Sequence, residues 1–441
     1  NAGNWDALPA ATGESLIFSG SNNLSNTNDL VTGIAGLTFN SGAGAFILGG
    51  NAITIASGGS ITNNSGSLQT IAFAPTNAGT TNVNATSGAI TFTGKLTNNM
   101  LNVSGPNLVT LQGSTSNVGL GATINNGATL VLANSTGNAI VNTVNINAGG
   151  TLRLNGSGTD QIHFNQTVQL NGSGAVFDLN GKNEEIGKLQ GTGGTVKNDA
   201  ASTTSTLTVG GGTNTSDFSN ILLANGTGTL AVTTRDVAAS TYTLGSANTF
   251  SGKMTIGGTT NISVLANGGV ASSIGAASNA NTNLATSATG ILRYTGGNAS
   301  TDRNFTTSTG AKIEVVNSGT NLELTGTSFG AFTKTGAGTL TMSGAVASAS
   351  APSVTGGTLV LNAGTNNAFT GSITVGTGGT MKLGSASTGN MIHDNTTLAV
   401  NTGGTFDMGG KSEKVKSISG AGTFLNSGST QSTLTVSGFS G

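Results

Sequence analysis

The chain has 441 residues, among them 72 glycines, 4 prolines and no cysteine, and only 7% are charged. Soluble domains carry about 25% charged residues, so the solvent-facing positions here fall to Asn, Thr, Ser and Gly, and a net charge of −1 offers nucleic acid no basic stripe. The missing cysteines exclude disulfides, thiolate catalysis and cysteine-held metals, while recurrent runs of Val, Ile, Leu and Thr separate the chain from a disordered one.

The chain begins at Asn1 with no signal peptide, and no apolar run approaches the ~18 residues that span a bilayer. The expectation is a soluble processed product or a segment of a longer polypeptide, with export and anchoring signals outside it. Residues 1–107 read as an opening segment and first rungs, with Ser15-Leu16-Ile17-Phe18-Ser19 as an alternating strand. Further on, a Gly-Thr-apolar-x-apolar unit recurs as Gly150-Thr151-Leu152-Arg153-Leu154, Gly338-Thr339-Leu340-Thr341-Met342, Gly357-Thr358-Leu359-Val360-Leu361 and Gly379-Thr380-Met381-Lys382-Leu383. Each is a short two-faced strand reached through a glycine turn.

Spacing carries more than the motif. The steps Thr129 to Thr151, Val176 and Thr195 are 22, 25 and 19 residues, and the steps Thr358 to Thr380, Thr405 and Thr423 are 22, 25 and 18. Two such series indicate a duplication at an offset of 229: Phe177-Asp178-Leu179-Asn180-Gly181-Lys182 returns as Phe406-Asp407-Met408-Gly409-Gly410-Lys411. The predicted organisation is repeat copy 1 over 108–211, connecting rungs over 212–336 and repeat copy 2 over 337–441.

A step of 18 to 25 residues is one three-sided turn of a parallel β-helix. The expected fold is therefore all-β, a right-handed parallel β-helix (three-sided β-solenoid) with an internal duplication. The leucine-rich repeat shares the period but not the pattern, and glycine at about 1 kcal/mol each removes helical repeats. An antiparallel sandwich with Asn-Gly turns such as Asn126-Gly127 does not explain the repeated register. Asn155, Asn362 and Asn401, each following a strand, are expected to stack in amide ladders, whereas like charges would repel in such stacks.

Phe332-Thr333-Lys334-Thr335-Gly336-Ala337-Gly338-Thr339-Leu340-Thr341-Met342-Ser343-Gly344 resembles the core of the autotransporter-associated β-strand repeat. Asn248-Thr249-Phe250-Ser251-Gly252 and Asn367-Ala368-Phe369-Thr370-Gly371 look like its continuation, and Asn4-Trp5-Asp6 with Gly13-Glu14-Ser15-Leu16-Ile17-Phe18 is similar to the opening of large surface proteins that carry it. The resemblance covers most of the chain. It implies a β-helical passenger, extracellular or at the cell surface, and no chemistry; the terminal membrane barrel of an autotransporter has no counterpart here.

Parallel β-helices include polysaccharide-cleaving enzymes, and glycoside hydrolysis needs two facing carboxylates. The best clusters are Asp178 with Glu184 and Glu185, and Asp407 with Glu413. Lys182, Lys188, Lys411 and Lys414 lie beside them, so they read as solvated loops with surface ion pairs. Arg153, Arg235, Arg293 and Arg303 are scattered. His163 with Asp160 and His393 with Asp394 read as outward polar groups. Gly210-Gly211-Gly212 and Gly403-Gly404 lack the aspartate of calcium-binding repeats, and Trp5, Tyr242 and Tyr294 are too isolated for a sugar platform. No catalytic, cofactor or metal residue is assigned, and no cofactor is expected.

The expected role is a structural surface fibre or layer, with an adhesin for host or matrix glycans as the alternative and an enzyme last. Assembly would run head to tail through strand edges at Leu16, Ile17 and Phe18 and at Leu434, Val436 and Phe439. The expected partners are further copies of the chain and surface glycans, not nucleic acid.

Overall fold

A computed structural model describes residues 13–438 apart from 78, 98, 159, 213, 214, 238, 345–348, 365–368 and 388. It is all-β, with no helix among the described residues. Two compact units divide the chain: residues 1–212 with 220–230, and residues 213–219 with 231–441.

In the first unit, one face climbs through Thr80–Asn84, Met100–Ser104, Gly121–Ile124 and Val144–Asn147, each parallel to the last. A second climbs through Ile90–Phe92, Leu108–Leu111, Thr129–Leu132 and Thr151–Leu154. The third is thinner, with Pro75–Thr76 laid on Ile53–Asn63 and single bridges at Thr76, Thr97 and Val118 and between Ile140 and Ile162. The chain visits the three faces in turn, as a β-solenoid does.

The second unit repeats that cycle. Lys312–Val315, Thr333–Thr335, Ser353–Val354, Ile373–Val375 and Thr397–Val400 form one face. Asn321–Leu324, Thr339–Met342, Gly357–Leu361 and Gly379–Leu383 form another. Shorter strands such as Ala349–Ser350 and Phe369–Thr370 supply the third.

The steps read from the sequence are the register of these ladders. Thr129 lies on Thr151, Thr151 on Val176 and Val176 on Thr195. Thr358 lies on Thr380, Thr380 on Thr405 and Thr405 on Thr423. The unequal steps are all one turn; the corners absorb the surplus residues.

Alternation along each strand sends one set of side chains inward. In Thr151–Leu154, Leu152 and Leu154 are fully buried, while Thr151 and Arg153 face outward. Leu154 rests on Leu132, which rests on Leu111, so each turn roofs the apolar groups of its neighbour. Each such leucine contributes roughly 1.5–3 kcal/mol. After the strands ending in Asp178 and Asp407 the backbone turns through left-handed pairs, Asn180 and Gly181 at φ 46° and 79° and Gly409 and Gly410 at 55° and 83°. Asparagine and glycine are the residues that tolerate this region.

Candidate functional site

The carboxylates of the two clusters are buried except for half-buried Glu185, which corrects the expectation of solvated loops. Asp178 is 0% exposed and Asp407 5%, and Glu184 and Glu413 are each 2% exposed. The cause lies one turn away in the ladder. Asp178 receives Arg153 Nε at 2.9 Å and the amides of Asn180 and Asp199 on its other oxygen. Asp407 meets Lys382 Nζ at 3.3 Å and accepts the amides of Gly409 and Ser427 and the Ser427 hydroxyl. The neutralising cations are thus Arg153 and Lys382 from the preceding turn. Lys414, expected as one of them, pairs with Asp394 at 2.8 Å.

Glu184 accepts the amides of Gln161 at 3.0 Å and Ile162 at 2.8 Å, and Glu413 accepts those of Met391 at 2.7 Å and Ile392 at 3.3 Å. Burial pushes the Glu184 carboxyl up to about 8 and that of Glu413 up to about 7, against the pull of these amides. In both copies the carboxylates are spent on the backbone of a corner. That arrangement satisfies amides a turn would otherwise bury unpaired; it anchors corners and does not present an acid and a base to a substrate.

The histidines sit beside these corners and are half-buried. His163 Nδ1 lies 2.7 Å from Asn165 Oδ1, and His393 Nδ1 accepts the Asn395 amide. Among the described residues, no three His, Asp or Glu side chains gather as a metal-ligand group.

Several charges in outward columns stack on the opposite sign. Arg153 lies on Asp178 and Asp178 on Lys197; Lys382 lies on Asp407; Arg293 lies on Glu314 with an Nε–Oε2 distance of 3.3 Å. One column of the first unit is uncharged for several turns, with Lys188 on the same face only at its last turn: Ser60, Asn82, Asn102, Thr123, Asn145, Gln169 and Gln190 lie in register, all half-exposed. Asn102 of this column donates to Asn82 at 2.8 Å, and Asn125, one residue past its strand, donates to Asn102 at 2.7 Å and accepts from Asn147 at 3.1 Å, so an amide ladder runs partly in the column and partly beside it. It was expected at Asn155, Asn362 and Asn401; Asn362 instead accepts the Ala386 amide across the corner.

Of the expected assembly-edge residues, Leu16 is buried, Phe18 half-buried and Ile17 59% exposed. Ser15–Phe18 lies on residues 36–39, and the Phe18 ring packs on Phe39 and Phe46 with centroids 5.4 and 5.2 Å away. Leu434 and Val436 are half-buried in Leu434–Val436, which lies on Glu413–Val415. Phe439 lies outside the described residues.

Two cations escaped the sequence reading. Arg303, 3% exposed, donates to the carbonyls of Ala266, Asn267, Val270, Gly275 and Ala277. It thereby pins the long turn that sets Thr259 against Ile291. Lys334, fully buried, donates from Nζ to the carbonyls of Thr335, Gly336 and Gly356. The available signal was rarity: in a chain with 7% charged residues, a lone cation in a strand or at its end has a specific employer.

Compared with known proteins, the chain is 35% identical over 210 residues to the Adhesin BmaC autotransporter of Brucella suis biovar 1 (strain 1330). The matched stretch is 45% of this chain and 6% of that protein, so the chain spans a small part of that relative's length. No family model matches the chain, and no solved structure does. A β-solenoid with this likeness fits an autotransporter passenger-type β-helix, which is a cell-surface or extracellular segment.

Proposed function

We propose that this passenger-type solenoid is a non-enzymatic adhesive segment whose uncharged polar column meets neutral glycan at the cell surface. The observation that carries the reading is the in-register column from Ser60 to Gln190, half-exposed and free of charge. Amides and hydroxyls there offer both donors and acceptors at about 4.8 Å intervals, which suits a partner rich in hydroxyls and disfavours a charged one. The similarity to an adhesin autotransporter supports the same class of role. Carboxylates tied to corner amides support its being non-enzymatic.

Beads coated with the purified chain test it on surfaces bearing neutral or anionic polysaccharide. Retention is expected on the neutral surface and is expected to fall with Asn102→Lys combined with Asn145→Lys. Retention unchanged by the two lysines, or release of shortened polysaccharide, overturns the reading.

A further inference from the structure

A chain of buried polar side chains links successive corners of the first unit. Its members Asn134, Gln161 and Glu184 are each at most 2% exposed. Glu184 holds the corner one turn before it with both oxygens, Oε2 accepting the Gln161 amide at 3.0 Å and Oε1 the Ile162 amide at 2.8 Å. The Gln161 side chain carries the contact to an earlier corner, where Oε1 accepts the Asn134 amide at 2.8 Å and Nε2 donates to the Asn134 carbonyl at 3.1 Å. Asn134 in turn accepts the Gly113 amide on Oδ1 at 2.8 Å and donates from Nδ2 to the Thr115 carbonyl at 3.1 Å. Gly156 makes room for the middle link, since a Cβ at that position would collide with the Gln161 side-chain amide. Each link is a pair of hydrogen bonds, so the loss of one member leaves the partners of the next buried and unpaired.

We propose that Glu184, Gln161 and Asn134 form a proton-sensitive relay, through which the Glu184 carboxyl governs the opening of the corners at Gln161, Asn134 and Gly113 together. The closed corner keeps this carboxyl out of water, and burial pushes it up to about 8. Once the corner opens, the carboxyl returns to the ordinary value of 4.5 and gives up its proton, so opening grows easier as pH rises from about 4.5 towards about 8. The charged and titratable groups on the elements around Glu184 are Asp160 and His163 on the corner it holds, and Lys182, Glu185 and Lys188 beside it in the chain; Thr204–Val209, which lies on its strand from the following turn, carries none. Asp160 opposes ionisation as burial does, so both favour the protonated, closed form. The second copy supplies an internal control. Glu413 likewise holds the amides of Met391 and Ile392, but the Met391 side chain, in the place of Gln161, has no amide to pass the contact on. The relay is independent of the adhesive reading.

Hydrogen exchange of single amides, expressed as protection relative to the intrinsic rate at each pH, tests the relay in the intact chain. Between the ordinary carboxyl value of 4.5 and about 8, protection of the Gln161, Ile162, Asn134 and Gly113 amides should fall together, by up to about ten-fold per pH unit. The Leu152 amide, in a strand between these corners, should keep its protection. In the second copy the fall should stop at Met391 and Ile392 and spare the Asn362 amide, which is bound to the Met342 carbonyl at 2.8 Å. Gln161→Leu keeps the backbone amide on Glu184 and removes the link. In that variant the amides at positions 161 and 162 should still follow pH, while those of Asn134 and Gly113 should be less protected at every pH and no longer follow it. Glu184→Gln, which does not ionise, should abolish the pH response at all four positions. Asn134 and Gly113 amides that stay level in the parent while those of Gln161 and Ile162 fall overturn the proposal. A response at Asn134 that survives Gln161→Leu, or a parent in which none of the four amides follows pH, overturns it as well.

Discussion

Glu184 and Glu413 hold the same position in the two copies, and burial raises both above the ordinary carboxyl value of 4.5, to about 8 and about 7. A carboxyl raised on folding binds its proton more tightly in the folded chain, so its contribution is whole below about 4.5 and fades as pH rises through about 7 and then about 8. Thermal stability is therefore expected to fall between pH 5 and pH 8, and Glu184→Gln with Glu413→Gln should flatten that slope. A melting temperature that rises over this range contradicts the assignment. The aspartates behave differently because their oxygens have divided tasks. In Asp178→Asn one oxygen still accepts the Asn180 and Asp199 amides, but an NH₂ then confronts Arg153 Nε. A loss of about 1–3 kcal/mol follows, the cost of a donor facing a donor. Asp407→Asn should lose less, since Lys382 Nζ already reaches Ser427 Oγ at 2.9 Å. Chemical denaturation of the two variants measures the difference. The 25-residue steps from Thr151 to Val176 and from Thr380 to Thr405 already carried the Arg153–Asp178 and Lys382–Asp407 pairs, but the sequence reading took the cations nearest along the chain, such as Lys182; contact across a turn follows the ladder and not the distance along the chain.

At the level of the single turn, strands were readable and corners were not. A Gly-Thr-apolar-x-apolar unit fixes which side chains point inward, so Thr358, Thr380 and Thr405 could be placed on one another from spacing alone. Corners vary in length and draw their order from side chains contributed by another turn. The turn between Thr259–Ile262 and Ile291–Tyr294 is the extreme case. Its loop carbonyls converge on Arg303, while Asp302 accepts the Gly268 amide at 2.7 Å and the Asn279 side chain at 3.1 Å. Arg303→Met should take the side-chain donor from all five carbonyls, but the Thr301 hydroxyl, the Val270 amide, the Ser272 hydroxyl and the Gly269 amide still serve those of Ala266, Asn267, Gly275 and Ala277, so the loss is about 1–3 kcal/mol in all. Hydrogen exchange over residues 263–283 should accelerate strongly while the flanking strands stay protected. Equal loss of protection in loop and strands would show that Arg303 supports the turn as a whole instead of its loop.

Within each unit, an interior strand such as Thr151–Leu154 is roofed by the turn before and the turn after, and its partners lie about one turn away in sequence. Stability in such a protein is close to a sum of terms for each turn and for each pair of adjacent turns. Leu152 tests this, since it is fully buried between Leu130 and Phe177. Leu152→Asp places a charge among apolar groups with no partner, a cost of several kcal/mol. In a globular core that change would unfold everything at once. Here the expected result is a local wound: protection from hydrogen exchange is lost in Thr129–Leu132, Thr151–Leu154 and Thr167–Asp178. Ile373–Val375 and Thr397–Val400, many turns along the chain, should keep the parent's exchange rates. If those strands lose protection in step with Thr151–Leu154, the chain unfolds as one cooperative block and the nearest-neighbour description fails. If they hold, the low charge and high glycine content of the sequence gain a physical sense. Each turn then needs only to match its neighbours, and uncharged side chains can be repeated from turn to turn without repelling one another.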